Sequence, residues 1–209
     1  LKYMQSQINP HFLYNTLDSI RWMAVVEGQE EIAQQVEALS DVFRHALNSG
    51  KEIVTVGQEA EHLQNYVLIQ KNRFGDKIQV SVSVEPEAEE CQVLKLILQP
   101  IVENAYIHGL EKKVGGGWIR VRIFCEGEDL IYLVEDNGLG TDGERIAQIL
   151  ARSGDEREAF ALKNIQERIR MKYGVDYGIT FWSRPGEGTK VQVRMPRFAE
   201  GRKADVEAD

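Results

Sequence analysis

The sequence predicts an α+β protein in which an N-terminal helical module is joined to a layer of mixed strands and helices. Apolar residues recur with a helical period over roughly the first 75 residues, and strict apolar–polar alternation begins at "KIQVSVSVE". Strands and helices then follow one another as far as Pro196. We therefore expect a first domain over residues 1–75, a second over 76–198 and a charged, disordered tail over 199–209.

Three helices are predicted in the first domain. Residues 1 to about 27 carry apolar side chains at helical spacing until Gly28 interrupts the pattern. Residues 30–47 form a second amphipathic helix. A connection, "NSGKEIVTVG", precedes a third helix that we expect from Gln58 to about Arg73.

The second domain is predicted to mix both kinds of element. "KIQVSVSVE" is typical of a strand, and "CQVLKLILQPIVENAYIHGL" of a long helix that Pro100 bends or divides. Two strands are expected around the turn Glu126–Asp129, followed by a short helix at "GERIAQIL". A helix that begins near Leu162 and ends at Gly174 then leads to a closing hairpin, "GITFWSRPGEGTKVQVRMP".

The amino-acid composition limits the classes of function that the chain is expected to have. The chain has 209 residues, of which 43% are hydrophobic and 28% charged, as is typical of a globular protein. A net charge of −8 argues against a dedicated nucleic-acid binder. Cys91 and Cys125 lack the spacing of metal ligands or of a disulfide framework. No apolar run reaches the roughly 18 residues that span a bilayer, and because the chain begins with Leu1, one interpretation is that it is a fragment.

The segment "VENAYIHG" places two polar side chains, Glu103 and Asn104, late in an apolar helix. Burying such groups without partners costs about 1–3 kcal/mol each. The amide oxygen of Asn104 is a candidate Mg²⁺ ligand, because magnesium takes oxygen donors and shares them with phosphates. The alternative is a polar pair at a helix end that faces water.

In "VEDNGLG" a strand ends at Asp136, whose carboxylate is able to accept a hydrogen bond from an exocyclic amine such as that of adenine. Gly138 and Gly140 allow the backbone to approach a ligand closely. In "PGEGTKV" Gly186 and Gly188 flank a tight turn. For both segments the alternative is an ordinary hairpin turn.

The segment "AFALKNIQERI" is predicted to begin a helix after a polar loop. The N–H groups of that helix start, near Leu162, are then free to face phosphates, and Lys163 and Asn164 add donors. The alternative is a plain amphipathic helix.

Taken together and in their order along the chain, the four segments resemble the ATP-binding domain shared by histidine kinases, type II topoisomerases and mismatch-repair ATPases. The resemblance covers about residues 76–196 and implies ATP and Mg²⁺ as ligands, in an α/β sandwich with a mixed sheet and helices on one face. No G-x-x-x-x-G-K-[ST] segment occurs, so this is not a P-loop. The implied nucleotide-contacting residues are Asn104, His108, Gly109, Asp136, Gly138, Gly140, Leu162, Lys163, Asn164, Gly186, Gly188 and Thr189.

The first domain indicates which of these three classes of protein the chain resembles over its whole length. In "QINPHFLYNTLDSIRWMA", Asn9 is a good helix cap and Pro10 a good first helical residue, which places His11 in the first turn. The segment resembles the phosphoacceptor of the sensor histidine kinases that carry Asn-Pro-His-Phe-Leu-Tyr-Asn, and "NYVLIQKNRFGDKI" resembles their junction to the ATP domain.

This resemblance implies that His11 takes the γ-phosphoryl group of ATP and passes it to an aspartate of a response regulator. It also implies a homodimer and an upstream membrane-anchored sensor, so that the chain is the cytoplasmic portion of a membrane protein. A neutral imidazole nitrogen is available as a nucleophile near pH 7. Asn15, one turn later on the same face, is predicted to orient the ring or the phosphate, and Glu103 is the candidate to polarise the imidazole.

The sequence departs from the family pattern at Ala159-Phe160-Ala161-Leu162, where the family usually has Gly-x-Gly-Leu. If either backbone needs a positive φ, alanine costs roughly 1 kcal/mol or more, and its methyl group crowds the phosphates. We therefore expect weaker ATP binding or slower autophosphorylation than glycine would allow. A regulatory nucleotide-binding module with little or no kinase activity is the alternative, and an ATPase of the topoisomerase or repair kind is disfavoured by the acidic charge and the helical module.

The remaining histidines have structural interpretations. His45 is predicted at a helix-surface or bundle position and His62 on an exposed polar face, whereas His108 either contacts nucleotide or ends its helix. Five apolar residues are predicted to form bundle core, which in one interpretation continues across a dimer interface: Phe12, Leu13, Leu17, Phe43 and Leu47.

Overall fold

A computed structural model describes residues 10–47, 52–142 and 157–197. Contacts divide the chain into two compact units. The first combines the described part of Leu1–Lys51 with Glu61–Gly75, and the second combines Glu52–Ala60 with the described part of Asp76–Asp209. The structure differs from the single boundary expected near residue 75, because residues 52–60 pack with the second unit.

The first unit is built on helices α1 (Pro10–Val26) and α2 (Glu30–Leu47). The end of α1 and both bounds of α2 agree with the sequence prediction, whereas residues 1–9, where the first helix was expected to begin, lie outside the described residues. Gly28, with a φ of +69°, makes the turn between them. A third helix, α3 (Val56–Phe74), begins in the second unit and continues in the first. In the described part of the chain, no helix is both long enough and apolar enough to cross a membrane.

His62 is only 3% exposed, so the prediction of an exposed polar face is wrong. The reason is its position on α3, where it shares a stripe at helical spacing with buried Glu59 and Tyr66. Its ring stacks on that of His45, with ring centroids 4.2 Å apart.

A five-stranded mixed sheet organises the second unit. Its strands are β2 (Ile78–Val84), β4 (Gly117–Glu126), β5 (Asp129–Asp136), β6 (Gly178–Arg184) and β7 (Gly188–Pro196). They lie in the order β2-β4-β5-β7-β6, and only the β2–β4 pair within this sheet is parallel. Helices cover one face, as predicted, because the apolar side chains of α4 (Leu98–Asn104) and α5 (Arg157–Tyr173) pack against the sheet.

The predicted long helix over residues 91–110 is wrong at its start. Residues Gln92–Leu94 form strand β3, which pairs antiparallel with β1 (Ile53–Thr55) inside the segment expected to be a connection. Helix α4 (Leu98–Asn104) follows and continues as a π-helical turn over Ala105–Leu110. Pro100 lies in the first turn of α4, where a missing N–H is tolerated, so it neither bends nor divides the helix.

Helix α5 (Arg157–Tyr173) ends at Gly174, as predicted, but it begins five residues before Leu162. The N–H groups of residues 162–164 therefore bond within the helix, and the prediction that they face phosphates from a helix start is wrong. Ala159 and Ala161 lie inside α5, so the positive φ suggested for them does not occur. The predicted helix "GERIAQIL", the cap Asn9 and the tail beyond Arg197 lie outside the described residues.

Candidate functional site

A cavity of about 140 Å³ lies in the second unit between the α4 segment, α5 and strands β5, β6 and β7. The register of β5 and β7 explains why two separated motifs meet here, since Asp136 pairs with Thr189. Seven residues predicted to contact a nucleotide line this cavity: Asn104, His108, Gly109, Asp136, Gly140, Leu162 and Thr189.

Asp136 is the charged group of the cavity. It ends β5 and is only 7% exposed, and burial raises the pKa of its carboxyl to about 6. Backbone N–H donors from Gly138 and Thr189, and the charge of Lys113, act in the opposite direction. The Gly138 N–H donates to Oδ1 at 2.7 Å. The carboxylate is therefore held in one orientation while its environment disfavours its charge.

Glycines surround Asp136 because other backbone approaches it closely. A Cβ on Gly109 would lie 2.9 Å from Asp136 Oδ1, and one on Gly138 would lie 2.5 Å from Gly109 Cα. Gly188, with a φ of +95°, has no room for a side chain beside the Asp136 carbonyl oxygen. The prediction that Gly138 lets the backbone approach a ligand is thus refined, because its nearest neighbours are protein atoms.

Asn104 ends α4 at the point where the helix widens into the π-helical turn. Its side-chain nitrogen is buried, and no hydrogen-bond partner for it exists within the described ranges. Amide nitrogen and oxygen are assigned by their surroundings, so either atom is able to face the cavity. A buried amide without a partner is costly, which fits a site completed by a polar ligand or a cation that takes oxygen donors.

Four predicted contact residues line neither this cavity nor the groove beside it. The Lys163 ammonium lies 4.0 Å from the Glu167 carboxylate, and Asn164 is exposed on α5. The Gly186 N–H donates to the Leu139 carbonyl at 2.6 Å, which joins the β6–β7 turn to the loop after β5. Gly138 supports Asp136, as described above. Two further predicted residues lie nearby, since Gly188 lines an adjacent groove and Glu103 is half-buried on α4.

The apolar wall of the cavity was missed at the sequence level. It comprises Ile101, Ala105, Val134, Thr141, Phe181 and Val191. Val134 and Val191 are register partners, and each lies two residues from a predicted polar residue on the same sheet face. This two-residue alternation along each strand was the sequence signal from which the apolar wall could have been predicted. An apolar wall with a fixed acceptor at one end suits a flat ring that carries a donor.

The phosphoacceptor candidate lies in the first unit. His11 is the second residue of α1 and is exposed. Its Nδ1 lies 3.3 Å from Asn15 Nδ2, so these two side chains share a face as predicted. Tyr14 faces α2 instead, since its hydroxyl donates to the Phe43 carbonyl at 3.5 Å.

Comparison with known proteins covers both units. Residues 1–78 match the family model "Histidine kinase", and residues 89–199 match "Histidine kinase-, DNA gyrase B-, and HSP90-like ATPase". The sensor histidine kinase YesM of Bacillus subtilis is 37% identical over 196 residues, and BtsS of Escherichia coli K12 is 32% identical over 196; each match covers 94% of this chain and 33% of the relative.

The fold agrees with a solved structure, the histidine kinase domain of the blue-light activated histidine kinase EL346 from Erythrobacter litoralis. The TM-score is 0.55 at 16% identity, with 90% of this chain and 94% of that chain covered. The chain spans about a third of the length of the curated relatives it matches. It belongs to the histidine kinase family and comprises a catalytic core of that family, a histidine kinase segment followed by an ATPase domain of the histidine kinase, gyrase B and HSP90 type.

Proposed function

We propose that this chain transfers the γ-phosphoryl group of ATP to His11 and then to an aspartate of a response regulator. The observation that carries the proposal is the cavity in which a buried carboxylate and a buried amide face an apolar wall. Residues 76–198, together with residues 52–60 of the same unit, act as the nucleotide-binding domain. Residues 1–51 and 61–75 act as the dimerisation and phosphoacceptor module.

In the nucleotide site, the Asp136 carboxylate accepts a hydrogen bond from the adenine amine, and the apolar wall packs against the ring. The side-chain oxygen of Asn104 would hold Mg²⁺, and the ion would supply charge neutralisation at the phosphates. This placement is supported by the buried side-chain nitrogen of Asn104, which lacks a partner among the described residues, because rotation of the amide exchanges that nitrogen with the oxygen.

His11 is the nucleophile. One neutral ring nitrogen bonds to the γ-phosphorus as the bond to the ADP oxygen breaks, and the proton on the other ring nitrogen is then lost. Asn15, 3.3 Å from Nδ1, fixes the tautomer. With its oxygen turned to accept from Nδ1–H, the lone pair lies on Nε2. Glu103 is the candidate that polarises the imidazole.

The apolar surface of α1 supports a homodimer. Phe12 is 70% exposed although it was predicted to be bundle core. Further large apolar residues exposed on α1 are Ile20, Trp22, Met23, Val25 and Val26. A second copy of the chain covers this face in the proposal. We place the chain in the cytoplasmic part of a protein with an upstream membrane-anchored sensor, which is consistent with the third of the relatives' length that it spans.

Incubation with γ-labelled ATP and Mg²⁺ tests the proposed reaction. We expect label on the chain that is labile in acid and stable in alkali, followed by its transfer to an added response-regulator receiver domain. Label with the stability of a phosphoserine would contradict the proposal. ATP binding without any label would indicate a regulatory nucleotide-binding module instead.

The pKa of Asp136 predicts a pH dependence of nucleotide affinity. Adenine requires the ionised carboxylate as an acceptor, whereas burial raises its pKa to about 6 in the ligand-free chain. Protonation therefore competes with the ligand, and affinity should fall about tenfold between pH 7 and pH 5. Calorimetric titration with adenosine measures this without interference from titrating phosphates. An adenosine affinity that stays constant from pH 7 to pH 5 would argue against contact between the amine and the carboxylate.

A further inference from the structure

Glu59 is a fully buried carboxylate in the first turn of α3, with 0% exposure. Its Oε1 accepts hydrogen bonds from the N–H groups of Ile97 and Leu98 at 2.6 and 3.0 Å. Its Oε2 accepts from the Leu96 N–H at 2.9 Å. One side chain therefore satisfies three consecutive backbone donors at the start of α4.

Helix α4 cannot provide this cap itself. Its N-cap residue is Ile97, which has no side-chain acceptor. The first N–H groups of a helix lack intrahelical partners, and the positive end of the helix dipole favours a negative charge. Glu59 supplies both the acceptors and the charge from a position about 38 residues earlier in the chain.

The segment before α4 is fixed from three sides. Leu96 has a φ of +60°, a conformation that leucine adopts only when its surroundings hold it. The neighbouring Lys95 donates its N–H to the Glu52 carbonyl at 3.0 Å and accepts a bond from Arg168 of α5 at 2.7 Å. With Glu59, these contacts join the start of α4 to the β1–α3 segment and to α5.

The same helices supply the cavity. Asn104 lies six residues after Leu98, about 9 Å along α4, and Ile101 lies between them. Since a helix transmits displacement of its first turn along its axis, a looser start of α4 moves Ile101 and Asn104 relative to β5.

We propose that Glu59 is a positioning residue for the nucleotide site, which acts by fixing the start of the helix that carries Asn104. The inference rests on the proposed nucleotide-binding function and adds a residue outside the cavity. It also gives α3 a role in the site, because this helix starts beside α4 and continues in the first unit. If the cap merely stabilises the fold, its removal would lower the melting temperature and leave the ATP affinity of the folded chain unchanged.

Glu59→Gln is the decisive variant, because the amide keeps one acceptor oxygen and places a donor against the N–H groups. ATP affinity is measured at a temperature where circular dichroism shows wild type and variant fully folded. Wild type should bind, Glu59→Gln should bind at least about tenfold more weakly, and Glu59→Asp should lie between them. Glu61→Gln, an exposed neighbour on the same helix, should stay within about twofold of wild type.

A Glu59→Gln affinity within twofold of wild type would overturn the inference and leave the nucleotide site intact, whereas a wild type that does not bind ATP would overturn both. If Glu59→Gln does not fold, Glu59→Asp takes its place. A measurement on wild type alone adds a second test. Coupling is reciprocal, so ATP should slow amide hydrogen exchange at residues 96–98, and unchanged exchange there would also overturn the proposal.

Discussion

Replacing His11 with glutamine is expected to reduce labelling from γ-labelled ATP by at least about 10³-fold, because the nucleophile itself is removed. Glutamine retains a polar side chain at an exposed position in the first turn of α1, so the change should have little effect on folding. ATP affinity should stay within about twofold of wild type, because the cavity lies in the other compact unit.

His45→Gln is the matched control. Its ring stacks on His62 within the first unit, and it is not part of the proposed chemistry. We expect the label to remain on this variant with the same acid lability, even if its melting temperature falls. Acid-labile label that persists in His11→Gln and disappears in His45→Gln would move the acceptor to the stacked pair and contradict our assignment.

Local patterns predicted most elements, and the failures have a common cause. Alternation identified β2, and the glycine and proline positions identified the closing hairpin. The start of α4 was wrong because β3 pairs with β1 and because Glu59, far away in sequence, caps the helix. Neither partner is visible in the hydrophobic period of residues 91–110.

The site shows the same division between local and distant information. Asn104 was predicted because a polar side chain buried in an apolar helix is costly without a partner, and Asp136 because it ends a strand just before two glycines. The apolar wall was not, because Val134, Phe181 and Val191 look like ordinary strand residues until the register places them together. The predicted helix start near Leu162 was wrong, since α5 begins earlier than the sequence pattern indicates, and Lys163 and Asn164 do not line the cavity.

Replacing Asp136 with asparagine is expected to weaken ATP binding about a hundredfold. The amide has one acceptor oxygen, while the Gly138 N–H and the Thr189 N–H already bond to the carboxylate. If the oxygen keeps these partners, the amide NH₂ faces the adenine amine, donor against donor. Glu126→Gln, an exposed change on β4, is the control and should bind ATP as wild type does. Equal ATP affinity in Asp136→Asn and wild type would remove the carboxylate from the adenine site.

The ligand-free stability of Asp136→Asn distinguishes a lost contact from a damaged fold. Because the pKa of Asp136 is raised to about 6 in the folded chain, protonation favours folding, and wild type loses that stabilisation as the pH rises through 6. Asparagine has no charge to bury, so at pH 8 the variant should be as stable as wild type or up to about 3 kcal/mol more stable. This advantage should shrink below pH 6, as wild type becomes protonated. Urea unfolding at pH 8 and pH 5 measures the difference in free energy of unfolding between variant and wild type. If the variant falls further below wild type at pH 8 than at pH 5, the ionised carboxylate is structural. Weaker binding together with undiminished stability would identify Asp136 as a group kept charged in a buried place for its ligand.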